Sequence, residues 1–395
     1  MHVPERKAAS RRAAERLAKS RAWAAPSGPN GLLCDPPLGL WEQTVAENRA
    51  VLDNMRFDVA GVDGAEMRRR ARRRLLELAG VDGANAPDGS DAADGAHALA
   101  APSTSAPDER PIIVTGHQPQ FYHPGVWVKA FAVAAEARRQ GAVGVNVVVD
   151  HDAGELAAEI PWRTTEGAVR LGYTKEYLVS PVGGRPLETL PVPSADEVEA
   201  FLQRIEEHVQ TLHWPEGIER VRAFADALRA AAQSATTAAE LGWMTRRLYE
   251  KAFGEELVPD VPVSRISQTP EFLRFFVHWA YNAEAMRTAY NEALADYRRE
   301  HRVRSQANPF PDLLVYPGQG VELPFWGLTP EGVRRKLYAL KTPDGVVLSH
   351  LEGEFARIPL EGDAAVEALI AAGVQVRPRA VPLTVFHRLF VTDLF

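Results

Sequence analysis

Apolar residues change texture sharply along the chain. Pro111–Gly116 (PIIVTG) is a short β-branched run that ends in glycine. Val126–Gln140 (VWVKAFAVAAEARRQ) repeats apolar residues every three to four positions and is followed by Gly141, and Val143–Asp150 (VGVNVVVD) is a second unbroken apolar run. The spacing predicts a strand, a helix stopped by glycine, and another strand. Together they make a βαβ unit, which implies parallel strands covered by helices and an α/β fold.

On either side the pattern is helical or mixed. A weaker strand is predicted near Val169–Tyr173, and helices over Asp196–Leu212, Ile218–Ser234 and Ala238–Phe253. From Pro270 to Arg302 the apolar positions Phe272, Phe275, Phe276, Trp279, Ala283, Met286, Tyr290, Leu294 and Tyr297 keep helical spacing. Thr269, Pro270 and Glu271 supply a cap, a first-turn proline and an acid at the helix's positive end. A continuous helix there would span roughly 45 Å, which suits a helical subdomain inserted into the α/β core. From Asp312 short strands and turns return, with a helix at Asp363–Ala372. The final LFVTDLF is apolar where a terminus is normally exposed, so this end is expected either to pack into the core or to belong to a longer protein.

Ahead of the βαβ unit lie an Ala- and Arg-rich start and helical stretches at Trp41–Met55 and Glu66–Ala79. The six arginines of RRRARRR, Arg68 to Arg74, point all round a helix, which predicts a solvated helix without a single basic face. Gly80 to Asp108 is rich in Ala, Gly, Asp, Pro and Ser and reads as a linker. The expected organisation is a helical appendage over 1–80, a linker over 81–108, a first core part over 109–190, a helical insertion over 191–305 and a C-terminal α/β segment over 306–395.

Composition narrows the function. The 395 residues carry 45 basic and 52 acidic side chains, a net charge of −7, which argues against a surface built for nucleic acid. A single cysteine, Cys34, excludes a disulfide framework and any multi-thiolate metal site. No apolar run approaches the ~18 residues of a membrane span, and the first residues lack a signal peptide's apolar core, so the expected location is cytoplasmic.

Candidate chemistry concentrates after the two predicted strands. The first is followed by GHQPQFYHPG (Gly116, His117, Gln118, Pro119, Gln120, Phe121, Tyr122, His123, Pro124, Gly125), the second ends in DHDAGE (Asp150, His151, Asp152, Ala153, Gly154, Glu155). Parallel strands joined by a crossover helix end at one edge of the sheet, where open α/β sheets bind ligands. The first loop feeds a helix N-terminus, whose N–H groups and dipole attract phosphate or carboxylate. His117 and His123 can donate to phosphoryl oxygens or act as general acids, and Lys129 can neutralise a phosphate. Gln118 offers neutral hydrogen bonds, and Gly116 and Gly125 let a backbone approach an anion. His117, His123, Asp150, His151 and Asp152 also supply donors for Zn²⁺, Mn²⁺ or Mg²⁺, although residues adjacent on a strand point apart. Downstream, Arg302, Arg304, Asp312, Glu322, Trp326 and Arg334–Arg335 can either close over this site or serve as caps and ion pairs.

At these residues, VTGHQPQFYHPGVWVKAF and VVVDHD, the chain resembles the cysteine-adding enzymes of bacillithiol biosynthesis, which carry a VTGQQ loop, a helix lysine and an E-D-H-D element. Their fold is similar to that of the nucleotidylyltransferases, whose HxGH motif HPGV (His123–Val126) matches at its first histidine and glycine. His117 replaces the first glutamine of the loop, and Val126 replaces the second histidine. YNEALADYRREHRVRSQANPFPDL, VELPFW and RPRAVPLTVFHRLFVTDLF resemble stretches of an uncharacterised group of related bacterial proteins. The resemblance implies a Rossmann-like, nucleotidylyltransferase-type parallel sheet and a ligase or group-transfer reaction on a small-molecule substrate. A nucleotide (ATP, ADP or CTP) or a divalent metal would be the cofactor. Asp150 or Asp152 would orient an amine or a metal, with His151 in the binding set. A metal-dependent hydrolase and a non-catalytic nucleotide-binding protein are the alternatives, and assembly into a homo-oligomer is left open.

Overall fold

The two predicted strands lie side by side in a computed structural model of the chain, which describes residues 34, 36–81, 109–121, 124–163, 171–212, 214–252 and 258–394. Contacts divide the chain into a unit up to Thr44 and a unit from Val45 onward. Helix α1 (Trp41–Leu52) precedes a small ribbon, β1 (Asp58–Val59) and β2 (Val62–Asp63), and helix α2 (Gly64–Leu78). The βαβ unit is β3 (Ile112–His117), α3 (Pro124–Gln140) and β4 (Val143–Val148). A hairpin, β5 (Leu156–Arg163) and β6 (Leu171–Val179), leads into helices α4 (Ala195–Thr211), α5 (Pro215–Ala232) and α6 (Ala238–Lys251). Strand β7 (Asp260–Pro262) is followed by the short α7 (Val263–Ile266), then α8 (Pro270–Tyr281) and α9 (Ala283–Glu300). Strands β8 (Val315–Tyr316), β9 (Gly320–Leu328), β10 (Arg334–Thr342), β11 (Gly345–His350) and β12 (Gly353–Ile358) come next. Helix α10 (Gly362–Ala371), β13 (Val376–Pro378), α11 (Ala380–Phe386) and a π-helical turn at His387–Val391 complete the chain.

The fold is mixed α/β around a three-stranded parallel sheet, ordered β3-β4-β7. Ile112 pairs with Val143 and His117 with Val148, so the two loops singled out in the sequence leave from one edge. β7 pairs with β4 in the same sense, from Asn146–Asp260 to Val148–Pro262, and brings α7 to that edge too. A strand of three residues that ends in proline, Asp260–Pro262, carries no readable period in the sequence. A separate antiparallel sheet runs β12-β11-β10-β9-β13, with β8 on β9, as the turn-rich texture after Asp312 implies.

Two apolar cores hold α2, α4–α6 and α8, while a third, around Ile113, Ala130, Val133 and Ala134, packs α3 on the other face of the parallel sheet. The hairpin and α4–α6 share one, built on Leu156, Ile160, Phe201, Ile205, Leu228 and Leu241. The other joins α2, one face of the parallel sheet, α8 and the C-terminal sheet around Phe272, Phe276, Phe325 and Phe386. The region read as one insertion over 191–305 therefore splits, with α8 in the main core. The long helix breaks at Asn282 (φ −110°, ψ 24°), whose side chain donates to the His278 carbonyl at 2.9 Å. Its start is as predicted: Thr269 caps the Phe272 N–H, and Pro270 opens the first turn.

The arginine helix departs most from expectation. Arg68 and Arg72 are buried, while Arg69 and Arg70 are exposed and pair with Glu66. Both buried guanidinium groups donate to the carboxylate of Asp393, Arg72 at 2.9 Å. The same carboxylate accepts the Ile112 N–H at 2.8 Å. Helical geometry puts residues four apart on one face, and here that face meets an acid more than three hundred residues away. The C-terminal stretch packs in: Phe390 and Val391 are buried, and the Leu394 carbonyl accepts from Val114 N at 2.8 Å, covering the outer edge of β3.

Candidate functional site

At the carboxyl edge, a cleft of about 560 Å³ opens between the end of β3, the β5–β6 hairpin and helices α4–α6. That size suits a small molecule. His117, Gln120, Phe121 and Val126 form its wall on the sheet side. Lys175 and Glu155 face it from the hairpin, and Arg220, Phe224 and Tyr249 from the helices.

Local packing holds the loop. Gly116 lies so close to β4 that a Cβ there would meet the Val147 carbonyl oxygen at 2.9 Å. Gly242 of α6 is tighter still: a Cβ would sit 1.9 Å from the Pro119 carbonyl oxygen. These two positions seat the loop on the sheet and on the helix. His117 Nδ1 lies 3.2 Å from the Gln118 carbonyl. Lys129, one turn into α3, donates from Nζ to the Gly116 carbonyl at 3.1 Å. The residue as a whole is exposed, yet desolvation around its ammonium lowers its pKa. Gly125 is exposed in the first turn of α3, and His123 lies outside the described residues.

The aromatic side of the cleft is a connected wall. Phe121 meets Phe224 edge to face at 5.0 Å, Phe224 meets Tyr249 at 6.1 Å, and Tyr249 stacks on Trp127 at 5.6 Å. Trp127 in turn donates to Glu250 at 2.7 Å, tying α3 to α6. Opposite, Lys175 Nζ bonds Glu155 at 2.5 Å and lies 3.6 Å from Glu159.

The second motif leaves from the same edge but turns to the C-terminal sheet. Among the described residues, the cleft wall includes His117 and none of Asp150, His151 or Asp152. Asp150 is buried and accepts from Ser264, from the backbone N–H at 2.9 Å and from the hydroxyl. Burial, and then the charge of Glu188, push its pKa up to about 7. His151 is buried as well, with Nε2 donating to the Pro378 carbonyl at 3.0 Å and Nδ1 without a hydrogen-bond partner. Burial, reinforced by Arg377, lowers its pKa to about 3, so the ring is neutral. Asp152 accepts from Arg334 at 2.8 Å.

The downstream cluster partly assembles here. Arg334 and Arg379 lie on the Trp326 ring, 5.0 and 4.4 Å from its centre, and Arg379 donates to buried Glu322 at 2.8 Å. Lys336 Nζ is 3.1 Å from the same carboxylate. Arg302 and Arg304 are exposed, and Asp312 pairs with Arg298 at 2.7 Å.

No model of a known protein family matches this sequence, and no curated protein matches it. The site stands on its geometry alone. Among the described residues no helix is long and apolar enough to cross a membrane. Nor do three His, Cys, Asp or Glu side chains gather as metal ligands among them. Asp150, His151 and Asp152 each spend a donor or acceptor on a different protein partner. The cleft offers an imidazole, a lysine and an arginine from three separate elements against an aromatic wall. That set can donate hydrogen bonds to an anionic group and cover a planar one, with Glu155 and Glu159 beside the lysine. Lys175, Arg220, Phe224 and Tyr249 lack a motif in the sequence, whereas Glu155 lies inside DHDAGE.

Proposed function

We propose that the chain is a ligase or group-transfer enzyme with a Rossmann-like, nucleotidylyltransferase-type core, and that it binds a nucleotide or another phosphorylated small molecule in the carboxyl-edge cleft. The observation that carries this reading is the convergence of His117, Lys175 and Arg220 on one cleft beside the N-terminus of α3. In it, the first-turn N–H groups of α3 and the imidazole of His117 take phosphoryl oxygens. His123, on the same loop, serves the same end. Lys129 adds positive charge behind the loop, and a base lies against Phe121, Phe224 and Tyr249. Bound nucleotide would supply the activating phosphoryl or nucleotidyl group. Asp150 and Asp152 act as positioning residues, holding α7 and the C-terminal sheet to the edge. The ligase class rests on the resemblance to the cysteine-adding enzymes.

Calorimetric titration with ATP, ADP and CTP tests the reading, comparing the wild type with His117→Ala. Binding by at least one nucleotide, weakened in the variant, is expected. Absence of heat from all three overturns it. One residue favours a second reading, a non-catalytic nucleotide-binding protein: Val126 lines the cleft where the HxGH motif has its second histidine. Nucleotide retained for hours without product, across a panel of amine acceptors, would select that reading.

A further inference from the structure

A second cavity, of about 590 Å³, shares no wall residue with the cleft. Val143 and Gly144, which begin β4, and Asp260, which begins β7, form part of its wall. It runs along β7, an edge strand of that sheet, from the start of β4 to Pro262 and Arg265 at the strand's carboxyl end. Nothing in the proposed chemistry uses it.

Its polar groups are unbalanced in an informative way. The Asp260 side chain is only 2% exposed. Oδ1 is committed, accepting from Asn146 at 2.6 Å and from Arg246. Oδ2 has no hydrogen-bond partner and only a long ion pair with Arg247 Nε, at 3.8 Å. On another wall Arg110 is buried, and its Nε likewise has no hydrogen-bond partner. Arg265 lines the cavity from α7, 60% exposed and 3.8 Å from Glu240. A buried acceptor and a buried donor in the wall of one cavity thus lack hydrogen-bond partners, and buried polar groups are normally satisfied. The wall also carries the apolar Trp243, Met244, Leu78 and Val258 and the charged Glu240, Arg247, Glu250 and Lys251.

We propose that this cavity is a second ligand site, for a zwitterion with an apolar body: a free α-amino acid with a large apolar side chain, or a dipeptide of that kind. Its ammonium donates to Asp260 Oδ2. Its carboxylate accepts from Arg110 and Arg265. The side chain lies on Trp243 and Met244. The cavity shares no wall residue with the cleft, which makes this a site separate from that of the proposed reaction.

Calorimetry on the wild type tests it with phenylalanine, leucine and leucyl-phenylalanine, against N-acetyl-phenylalanine and phenylalanine amide. A free zwitterion should bind, the amino acids and the dipeptide reporting its length, and each capped form should bind at least about tenfold more weakly, since each leaves one buried protein group unpaired. Arg265→Gln should weaken the free amino acid but not the amide, and Met244→Trp, which fills the cavity, should abolish binding. Asp260→Asn should erase the preference over the N-acetyl form. Should that variant fail to fold, because Oδ1 holds Arg246 and Asn146, the capped ligands and Met244→Trp still decide. His117→Ala should leave this binding unchanged. Absence of binding by every zwitterion, equal affinity for capped and free forms, or loss in His117→Ala with Met244→Trp unaffected overturns the proposal.

Discussion

Asp150 and Ser264 are joined by two hydrogen bonds, the serine giving both its backbone N–H and its hydroxyl to the buried carboxylate. The first residue follows the second parallel strand and the other follows the third, so the pair closes the carboxyl edge between β4 and α7. Ser264→Ala removes the hydroxyl donor and leaves a buried carboxylate oxygen short of a partner. A loss of about 1–3 kcal/mol in urea unfolding is expected. An unchanged midpoint would show that the pair is not holding the edge.

The same carboxylate makes stability depend on pH. Its pKa is about 7 in the folded chain against an ordinary 3.8. Between those values the folded state binds more protons than the unfolded one, so this group's contribution falls as pH rises and is fully lost above about 7. Asp150→Asn should flatten that slope while keeping an oxygen for Ser264. His151 acts with the opposite sign: its folded pKa of about 3 against 6.5 costs stability as pH falls below 6.5. Urea midpoints measured across this range for wild type and Asp150→Asn check the sign. A parallel offset of the two curves would refute it.

Asp393 neutralises Arg68 and Arg72 where none of the three is exposed. Asp393→Ala leaves buried Arg72 without a carboxylate and buried Arg68 with only the half-exposed Asp53, and a loss of roughly 3–5 kcal/mol is expected. Glu66→Ala removes the partner of exposed Arg69 and Arg70 on the same helix and should cost less than about 1 kcal/mol. Denaturant unfolding of the two variants gives the comparison directly, and equal losses would contradict it.

Gly242 leaves no room for a methyl group beneath Pro119. Gly242→Ala should push the Gln118–Phe121 loop off α6 and weaken any ligand of the cleft at least about tenfold, as misplacement of a binding group does. Helical circular dichroism should remain, because alanine is a better helix former than glycine. Binding at wild-type strength would mean that the loop does not shape the site.

Lys175→Met removes a cation from the cleft and leaves Glu155 and Glu159 uncompensated. On the proposed function, affinity for the nucleotide that binds most tightly should fall about tenfold or more, and the loss should shrink at high salt. Titration at two ionic strengths reads both effects, and a salt-independent loss would point to packing instead of charge.

Legibility followed range. The βαβ unit was readable to within two residues because two apolar runs and a helical period are local properties. Strand β5 was missed, since ELAAEIPWR is alanine-rich and carries a proline that pattern rules count against a strand. The arginine helix was misjudged because charge in sequence says nothing of a carboxylate over three hundred residues on. Half of the candidate site, His117 and its loop, was legible from its position after a strand. Lys175, Arg220 and Tyr249 were not, because only the folding of a hairpin and three helices over that edge brings them to it.

What the chain alone determined is its local grammar: alternating strands and helices, the Thr269 cap, the parallel sense of β3 and β4, and so a shared edge for His117 and Asp150. Backbone sterics and side-chain periodicity act over a few residues and are written in the order of the sequence. What only tertiary structure decided is which way each group at that edge faces, His117 into a cleft and Asp150 toward Ser264. Side-chain direction there depends on elements that arrive from distant parts of the chain, and burial, not spacing, sets their charges.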